Sequence, residues 1–539
     1  MALPHVAYFC MEMAIDQSVY IYSGGLGYLA GSHMRSAGQL GLPMTGVTIF
    51  WSHGYGQQVI NGHGEIELHY NVRPTHALKD TGVTVTVSVF GEDVKVKVLA
   101  LPASTFNTCP VYLLTTDIDE NAEHHRQITC VLYDSDPHRR VSQEIVLGIG
   151  GLKALQALGV PWEVIHLNEG HALPAGFELL RQYKGDLAKL RQQMVFTTHT
   201  PVAAGNESHP AELLDKAGFF AGVAKKTAIE LGGEDFSLTV AALRMSRIAN
   251  GVSQLHGLVA NDMWHWVSDS CPIIAITNAV NKRYWQDNRI PQATVGNDDA
   301  ILSLKKTMKQ ELFSEIQEKT GKVFNPDVLT VVWARRFTEY KRAWMIFYDM
   351  ERICSHLRDQ RIQLIFAGKF HPSDVAGQQM FNTVLRYSRD IPNIAVMTNY
   401  ELGLSARLKK GSDIWLNTPL RPLEASGTSG MSANMNGCLH CSIDDGWAVE
   451  GTFHGINGYL IEPDLAGKDD DLIPIEERHR LDYDALMQVL EGEIIPTYYH
   501  DRPRWAHLMR QAILTSETYF DSDRMVMEYY HRLYKPVAM

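Results

Sequence analysis

Short apolar runs alternate with amphipathic helical segments along almost the whole chain. The runs are His5–Phe9, Thr45–Trp51, Val164–Leu167, Met194–Thr198, Ile273–Thr277, Leu329–Ala334, Gln363–Ala367, Ile394–Met397 and Asp413–Leu416. Between them lie segments such as Lys341–Leu357, in which apolar residues recur at helical spacing, and this predicts a helix there. The alternation predicts an α/β fold with parallel sheets, in which ligands bind at the carboxyl ends of the strands.

The length of the chain and its turn-rich segments indicate two domains. A chain of 539 residues is too long for one ordinary core. The polar run Asn288–Asn297 lies between two series of strands and helices, so we place the first domain at 1–280 and the second at 281–515. Thr84–Pro102 alternates with period two, which predicts an antiparallel β excursion inside the first domain.

Charge and composition exclude several classes of protein. With 49 basic and 61 acidic residues the net charge is −12, which argues against non-specific nucleic-acid binding. The first residues do not form a signal peptide, and no run of 18 apolar residues suggests a membrane span. The seven cysteines are an odd, scattered set, typical of a reducing compartment. We therefore expect a cytoplasmic protein with no nucleic-acid or membrane partner.

A glycine-rich motif, SGGLGYLA at Ser23–Ala30, precedes a helix-like run that extends to Leu40. Glycines allow backbone amides to approach a ligand, and a helix amino terminus favours anions. Gly24, Gly25 and Gly27 are therefore candidate anion-binding residues. Glycine-rich turns are also common without a ligand, so a purely structural turn is the alternative.

Polar side chains follow several predicted strands of the first domain. His171 and His199 stand just after two successive strands, and Asn278 ends another near the domain junction. Such side chains can bind sugar hydroxyls or relay protons. A buried structural histidine, and a helix-capping or turn role for asparagine, are the alternatives.

The second domain carries a basic motif directly after the strand Leu329–Ala334. Its residues Arg336 and Lys341 offer a planar guanidinium and a compact ammonium to phosphate oxygens. A solvated helix start, with Glu339 pairing locally, is the alternative. Cys438-Leu-His-Cys441 looks like half of a metal site, but no second half is present in the sequence, so no metal is expected.

The segment Glu424-Ala-Ser-Gly-Thr-Ser-Gly-Met-Ser432 joins a carboxylate, hydroxyl groups and glycines in a run that should enter a helix. Its carboxylate can accept two sugar hydroxyls while exposed helix amides meet an anion. The alternative is an ordinary helix start that is capped by Ser426 or Thr428.

These motifs, in this order, resemble those of the α-glucan (glycogen/starch) phosphorylases, particularly the short bacterial and archaeal forms. The resemblance runs from Tyr8-Phe-Cys-Met-Glu12 to about Tyr534. It implies the GT-B architecture, with two Rossmann-like domains facing across a cleft and a carboxy-terminal helix, in residues 516–539, that crosses back to the first domain. It also implies a homodimer.

The resemblance also implies roles for individual residues. His199, Arg336 and Lys341 would be catalytic, with His199 at the transferred sugar and the two basic residues at phosphate. The implied ligand-binding residues are Gly24, Gly25 and Gly27 at the anion-binding helix start, His171, Asn278 at the sugar 6-hydroxyl, Glu424, Ser426 and Gly427 near the 3-hydroxyl, and Thr428 at a phosphate.

One position departs from the family pattern in a chemically decisive way. The phosphorylases hold pyridoxal phosphate as a Schiff base on a lysine, and Ser432 stands in its place. A hydroxyl group cannot form an imine, because that reaction needs a primary amine. No covalent pyridoxal phosphate is therefore expected.

The vacated position favours a different donor. Many retaining GT-B glycosyltransferases carry Glu-x7-Glu, and this chain has Glu424-x7-Ser432. In the phosphorylases the cofactor phosphate and inorganic phosphate lie side by side, and together they resemble the pyrophosphate of a nucleotide sugar. We therefore favour a retaining hexosyltransferase with a nucleotide-sugar donor. A nucleoside diphosphate would be the product, its nucleoside near Tyr400 and Ser432, and the acceptor a sugar or glucan. One alternative is an α-glucan phosphorylase with non-covalent or absent pyridoxal phosphate; another is an inactive protein that binds glycan or nucleotide.

Overall fold

A computed structural model describes residues 3–202, 206–465, 467 and 472–535. The chain forms two compact units. The first contains Met1–Gly56, Tyr70–Asn281 and Ser522–Met539, and the second contains Gln57–His69 and Lys282–Asp521. Two features differ from the bounds that we drew from sequence: the terminal segment joins the first unit at 522 rather than 516, and Gln57–His69 lies in the second unit.

The strands follow the apolar runs of the sequence closely. In chain order they are β1 Val6–Phe9, β2 Met44–Ile49, β3 Gln57–Ile60, β4 Ile66–His69, β5 Lys79–Val89, β6 Glu92–Leu101, β7 Val111–Thr115, β8 Val164–Asn168, β9 Met194–Thr197, β10 Ser208–Pro210, β11 Asp235–Ser237, β12 Ile248–Gly251, β13 Ile273–Ala275, β14 Leu329–Ala334, β15 Ile362–Ala367, β16 Ile394–Met397, β17 Ile414–Asn417, β18 Leu439–Ile443 and β19 Gly458–Ile461.

Helices connect most of these strands. In chain order they are α1 Gly25–Gln39, α2 Ala103–Phe106, α3 Glu123–Arg126, α4 Pro137–Ile145, α5 Gly151–Leu158, α6 Pro174–Gln182, α7 Leu187–Gln193, α8 Ala211–Ala217, α9 Lys225–Gly232, α10 Leu238–Met245, α11 Gln254–Trp264, α12 Lys282–Trp285, α13 Ile290–Val295, α14 Asp298–Thr320, α15 Met350–Arg358, α16 Val375–Asp390, α17 Leu402–Gly411, α18 Ser429–Asn434, α19 Ala448–Gly451, α20 Ile475–Val489, α21 Ile495–His500, α22 Arg502–Tyr519 and α23 Ser522–Glu528. Short 3₁₀ or π segments lie at Gln127–Thr129, Val146–Gly150, Gly170–Ala172, Glu339–Lys341, Met345–Phe347, Leu490–Ile494 and Tyr529–Tyr534.

The first unit is built on a nine-stranded sheet in the order β13-β12-β9-β8-β1-β2-β7-β6-β5. The strands from β13 to β7 are parallel, and β6 and β5 continue the sheet as an antiparallel hairpin. Every residue of β1, β2 and β8 is buried, as expected for parallel strands covered on both faces. The period-two segment is thus confirmed as antiparallel, and it extends the main sheet.

The second unit is built on a six-stranded sheet in the order β16-β15-β14-β17-β18-β19, parallel throughout. Both faces of β14 and β15 are buried, which accounts for their continuous apolar sequences. Each unit therefore carries a Rossmann-like parallel sheet, and the predicted α/β fold of GT-B type is confirmed. Among the helices in the described part of the chain, none is long and apolar enough to cross a bilayer.

The continuous helix predicted over Lys341–Leu357 is wrong. The first half contains only two short 3₁₀ turns, Glu339–Lys341 and Met345–Phe347, and the α-helix begins at Met350 and ends at Arg358. The break begins at Arg342, which has a left-handed φ of 48°. Its buried guanidinium donates to the carbonyl oxygens of Thr418 and Pro419 and pairs with Asp482, so tertiary contacts override the helical pattern.

Candidate active site

A buried ion cluster lies at the carboxyl end of β14 in the second unit. Arg335 follows β14 directly, and its Nη2 donates to Oε2 of Glu424 at 2.6 Å. The Nζ atom of Lys341 donates to the same carboxylate oxygen at 2.8 Å. All three side chains are buried. Lys341 therefore pairs with Glu424, the first residue of the segment Glu424–Ser432, rather than with the neighbouring Glu339.

The cluster fixes the charge state of its carboxylate. Burial by itself raises the pKa of Glu424, but the charges of Arg335 and Lys341 outweigh it and hold the pKa at about 2. Glu424 is therefore ionised at neutral pH. Arg335 is a further site residue of the basic motif, from which the sequence predicts only Arg336 and Lys341. Arg336 itself is exposed to solvent.

The backbone of the segment Glu424–Ser432 is held by the loop that follows β18. The Glu424 amide donates to Oδ2 of Asp445 at 2.9 Å, and the Trp447 amide donates to the Ser426 carbonyl at 2.9 Å. Burial, and then the charge of Glu424, raise the pKa of Asp445 to about 7. Asp445 was not identified from sequence, although an acidic pair before glycine at a strand end is the signal that could have found it.

The residues after Glu424 leave polar groups available. The Ser426 hydroxyl is buried without a hydrogen-bond partner among the described residues, and Gly427 has a φ of +86° that favours glycine. Thr428 precedes α18 but makes no side-chain cap. The simple capping alternative for Ser426 and Thr428 is therefore not what the structure shows.

Ser432 lies inside α18 and is completely buried. Its hydroxyl donates to the Ser429 carbonyl at 3.0 Å, and its own carbonyl accepts from Nδ2 of Asn436 at 2.9 Å. No amine stands at this position, so the residue does not fit a Schiff base with pyridoxal phosphate. Tyr400 follows β16, and its hydroxyl shares a 2.9 Å hydrogen bond with Ser405. Burial raises the pKa of Tyr400 to about 12.

In the first unit, His199 and Asn168 meet where two adjacent parallel strands end. The register pairs Asn168 of β8 with Thr197 of β9, and Nε2 of His199 lies 2.7 Å from Oδ1 of Asn168. Burial lowers the pKa of His199 to about 3, so the ring is neutral and Nε2–H donates to Asn168. The His199 backbone amide and the Thr200 hydroxyl donate to Glu169. Burial raises the pKa of Glu169 to about 7.

Two further predicted residues of the first unit lie in different surroundings. Nε2 of His171 lies 3.9 Å from Oε2 of Glu207, and burial, with the charge of Arg140, lowers the pKa of His171 to about 3. Asn278 is buried, and its backbone amide donates to the Val252 carbonyl. The side-chain Oδ1 of Asn278 has no hydrogen-bond partner among the described residues.

The glycine-rich motif of the first unit already binds an internal carboxyl group. Oε2 of Glu12 accepts hydrogen bonds from the amides of Ser23, at 2.5 Å, and Gly24, at 3.0 Å. A Cβ on Gly27 would lie 2.7 Å from that same oxygen, whereas one on Gly25 would meet nothing within 4 Å. The amides of residues 23 and 24 thus bind Glu12, so a phosphate at these two amides would have to displace its carboxylate.

Comparison with known proteins supports the resemblance seen in the motifs. The family model for carbohydrate phosphorylases matches residues 293–452, which include the ion cluster. The chain is 35% identical to a maltodextrin phosphorylase of Thermococcus litoralis over 593 residues, covering 98% of this chain and 70% of that protein. It is 30% identical to a glycogen phosphorylase of Aquifex aeolicus over 607 residues, covering 99% and 86%.

A further relative matches end to end. An uncharacterized protein of Methanocaldococcus jannaschii is 43% identical over 531 residues, covering 98% of this chain and 99% of that protein. The names of the two phosphorylases support a phosphorylase-type glycosyl-transferring enzyme, and neither name indicates a nucleotide-sugar donor. On this similarity over the whole chain, together with the matched family model, the chain belongs to the carbohydrate phosphorylase family.

Proposed function

We propose that this chain is an α-glucan phosphorylase, which transfers a glucosyl unit between a glucan and phosphate with retention at the anomeric carbon. The observation that carries the proposal is the pairing of Lys341 and Arg335 with one oxygen of Glu424. Two buried cations held by one carboxylate form a preorganised anion site. Family membership makes phosphate the anion to expect.

In the proposed reaction the bond from the sugar C1 to the glucan oxygen breaks, and a bond from C1 to a phosphate oxygen forms on the same face. The proton of the phosphate moves to the departing glucan oxygen. Lys341, Arg335 and the exposed Arg336 hold phosphate and stabilise its charge, and Glu424 accepts hydrogen bonds from sugar hydroxyls.

The proposed reaction proceeds without a Schiff base at residue 432. The buried Ser432 hydroxyl donates to the Ser429 carbonyl, and it cannot form an imine with an aldehyde because that reaction needs a primary amine. The nucleotide-sugar donor that the Glu424-x7-Ser432 spacing favoured becomes the alternative, because the relatives support phosphorolysis. Cytoplasmic location and dimerisation stay predictions.

A phosphorolysis assay tests the proposal directly. Purified protein is incubated with maltodextrin and phosphate, and glucose 1-phosphate is measured with and without added pyridoxal phosphate. We expect glucose 1-phosphate in both arms. Parallel reactions with UDP-, ADP- or GDP-glucose and maltodextrin should release no nucleoside diphosphate. Release of one, with no glucose 1-phosphate from phosphate, would overturn the proposal in favour of the nucleotide-sugar donor.

A further inference from the structure

Two histidines and one carboxylate converge at one end of the β5–β6 hairpin in the first unit. Nε2 of His124 lies 3.2 Å from Oε2 of Glu92, and Nε2 of His125 lies 3.1 Å from the same oxygen. The ring centroids of the two histidines are 4.0 Å apart. One ligand atom of each residue lies within 4.8 Å of the other two.

These distances match the coordination sphere of a transition metal. Tetrahedral zinc with Zn–N and Zn–O bonds of about 2.0–2.2 Å places a nitrogen and an oxygen about 3.4 Å apart. The two observed nitrogen–oxygen distances fall within a few tenths of an ångström of that value. Two imidazoles and one carboxylate form a ligand set that suits zinc, whereas magnesium prefers oxygen ligands.

Local charge favours a cation at this place. Arg126 is the nearest basic side chain in sequence, and its guanidinium is engaged by Asp117 at 2.8 Å and Asp119 at 3.3 Å. Its positive charge is thus balanced by two other carboxylates, and the Glu92 charge is left to the histidines.

The backbone holds the ligands in place without help from a metal. The Asn121 side chain donates to the Lys95 carbonyl at 2.7 Å and accepts from the Lys95 amide at 3.0 Å, which fixes the loop before α3 to β6. The Thr116 hydroxyl donates to the His125 carbonyl at 2.7 Å. The His125 side chain is only 10% exposed, whereas those of His124 and Glu92 are 65% and 61% exposed, so solvent and ions reach the convergent atoms.

We propose that Glu92, His124 and His125 form a zinc-binding site, with water as the fourth ligand, that clamps the β5–β6 hairpin to α3. The site lies outside the residues proposed for glycosyl transfer, so its existence does not depend on the phosphorylase proposal. Binding should join segments 32 residues apart in sequence and stabilise the first unit.

Zinc titration of the full chain, without a histidine tag, tests the site by calorimetry and by thermal unfolding. We expect one zinc ion per chain and a higher Tm with zinc, with no effect of magnesium. Glu92→Gln and His124→Ala should each weaken binding by at least about 100-fold, beyond the loss typical of an outer-shell partner. Both residues are exposed, so the variants should fold as the wild type does.

The control is His69→Ala, which removes another exposed histidine, whose Nε2 lies 3.6 Å from Oε2 of Glu67. One histidine and one carboxylate make only half of a site, so this variant should bind zinc as the wild type does. Absence of saturable binding in the wild type would overturn the proposal. So would undiminished binding in Glu92→Gln and His124→Ala, because the zinc would then lie elsewhere.

Discussion

Nζ of Lys341 lies 2.8 Å from Oε2 of Glu424, and the Arg335 guanidinium holds the same oxygen at 2.6 Å. One buried carboxylate oxygen is therefore shared by two cations, and the cluster keeps a net positive charge. In the proposed reaction, a phosphate that takes either cation competes with Glu424, and a sugar hydroxyl that donates to Oε2 weakens the hold of Glu424 on the two cations. We therefore expect binding of phosphate and binding of sugar to be coupled within the second unit.

Lys341→Met should lower kcat/KM for phosphate by about 10²–10³-fold, the scale of loss when one preorganised electrostatic contact is removed. Steady-state phosphorolysis kinetics measure this. The Glu424–Arg335 pair survives the change, so the variant should still fold. Lys319→Met removes an exposed lysine that pairs with Glu315 and serves as the control, with unchanged kinetics. Wild-type kinetics in folded Lys341→Met would remove Lys341 from the reaction.

Asp445 should make stability depend on pH. Its pKa is about 7 in the folded protein, against the ordinary value of 3.8 that applies in the unfolded chain. Between these two pH values the folded protein therefore binds one proton that the unfolded chain has released. The contribution of Asp445 to stability is therefore present below about pH 4 and lost as pH rises towards 7. Urea unfolding across this range should show a decline that is weaker in Asp445→Asn. Identical pH slopes in the two proteins would contradict the assignment.

Two glycines of the same helix should respond oppositely to a methyl group. A Cβ on Gly27 would lie 2.7 Å from Oε2 of Glu12 and 2.8 Å from Cβ of Tyr22, whereas one on Gly25 would meet nothing within 4 Å. Gly27→Ala should destabilise the protein by about 1–3 kcal/mol, as overpacking does. Gly25→Ala should be neutral or stabilising. Chemical denaturation measures the free energies of unfolding of the two variants. Equal values would show that the Glu12 side chain moves away from the added methyl group at no cost in stability.

Ser432→Ala should retain phosphorolysis, because the proposed reaction gives the hydroxyl no covalent role. The loss of its hydrogen bond to the Ser429 carbonyl should cost about 0.5–1.5 kcal/mol of stability. Initial rates at saturating phosphate measure the first effect and thermal unfolding the second. An inactive but folded Ser432→Ala protein would place this residue in contact with the substrate.

The sheets of both units were predictable because parallel strands buried on both faces have continuous apolar sequences, as in Leu329–Ala334. The motif order similarly indicated the family. The break at Arg342 was not predictable, since its left-handed backbone is held by partners at residues 418, 419 and 482. A helical period says nothing about such distant contacts.

Within the candidate site, residue types were easier to predict than their partners. Lys341 and Glu424 were both identified from sequence, but their direct pairing and the part played by Arg335 were not. The same holds for Glu12, whose carboxylate binds backbone amides 11 and 12 residues further along. Which carboxylate reaches which cation or amide depends on the packing of strands and loops, and a single sequence does not encode that in any local pattern.

The π-helical segment Tyr529–Tyr534 completes the core of the first unit. The Tyr534 hydroxyl lies 2.8 Å from Nδ1 of His166, and the Tyr529 hydroxyl accepts from Nδ2 of Asn250. During synthesis, residues 6–281 leave the ribosome well before these tyrosines exist. We therefore expect the first unit to finish folding only after residue 534 has emerged, while the second unit, apart from the Gln57–His69 segment, is made in between. A truncation near residue 520 should thus damage the part of the protein that was translated first.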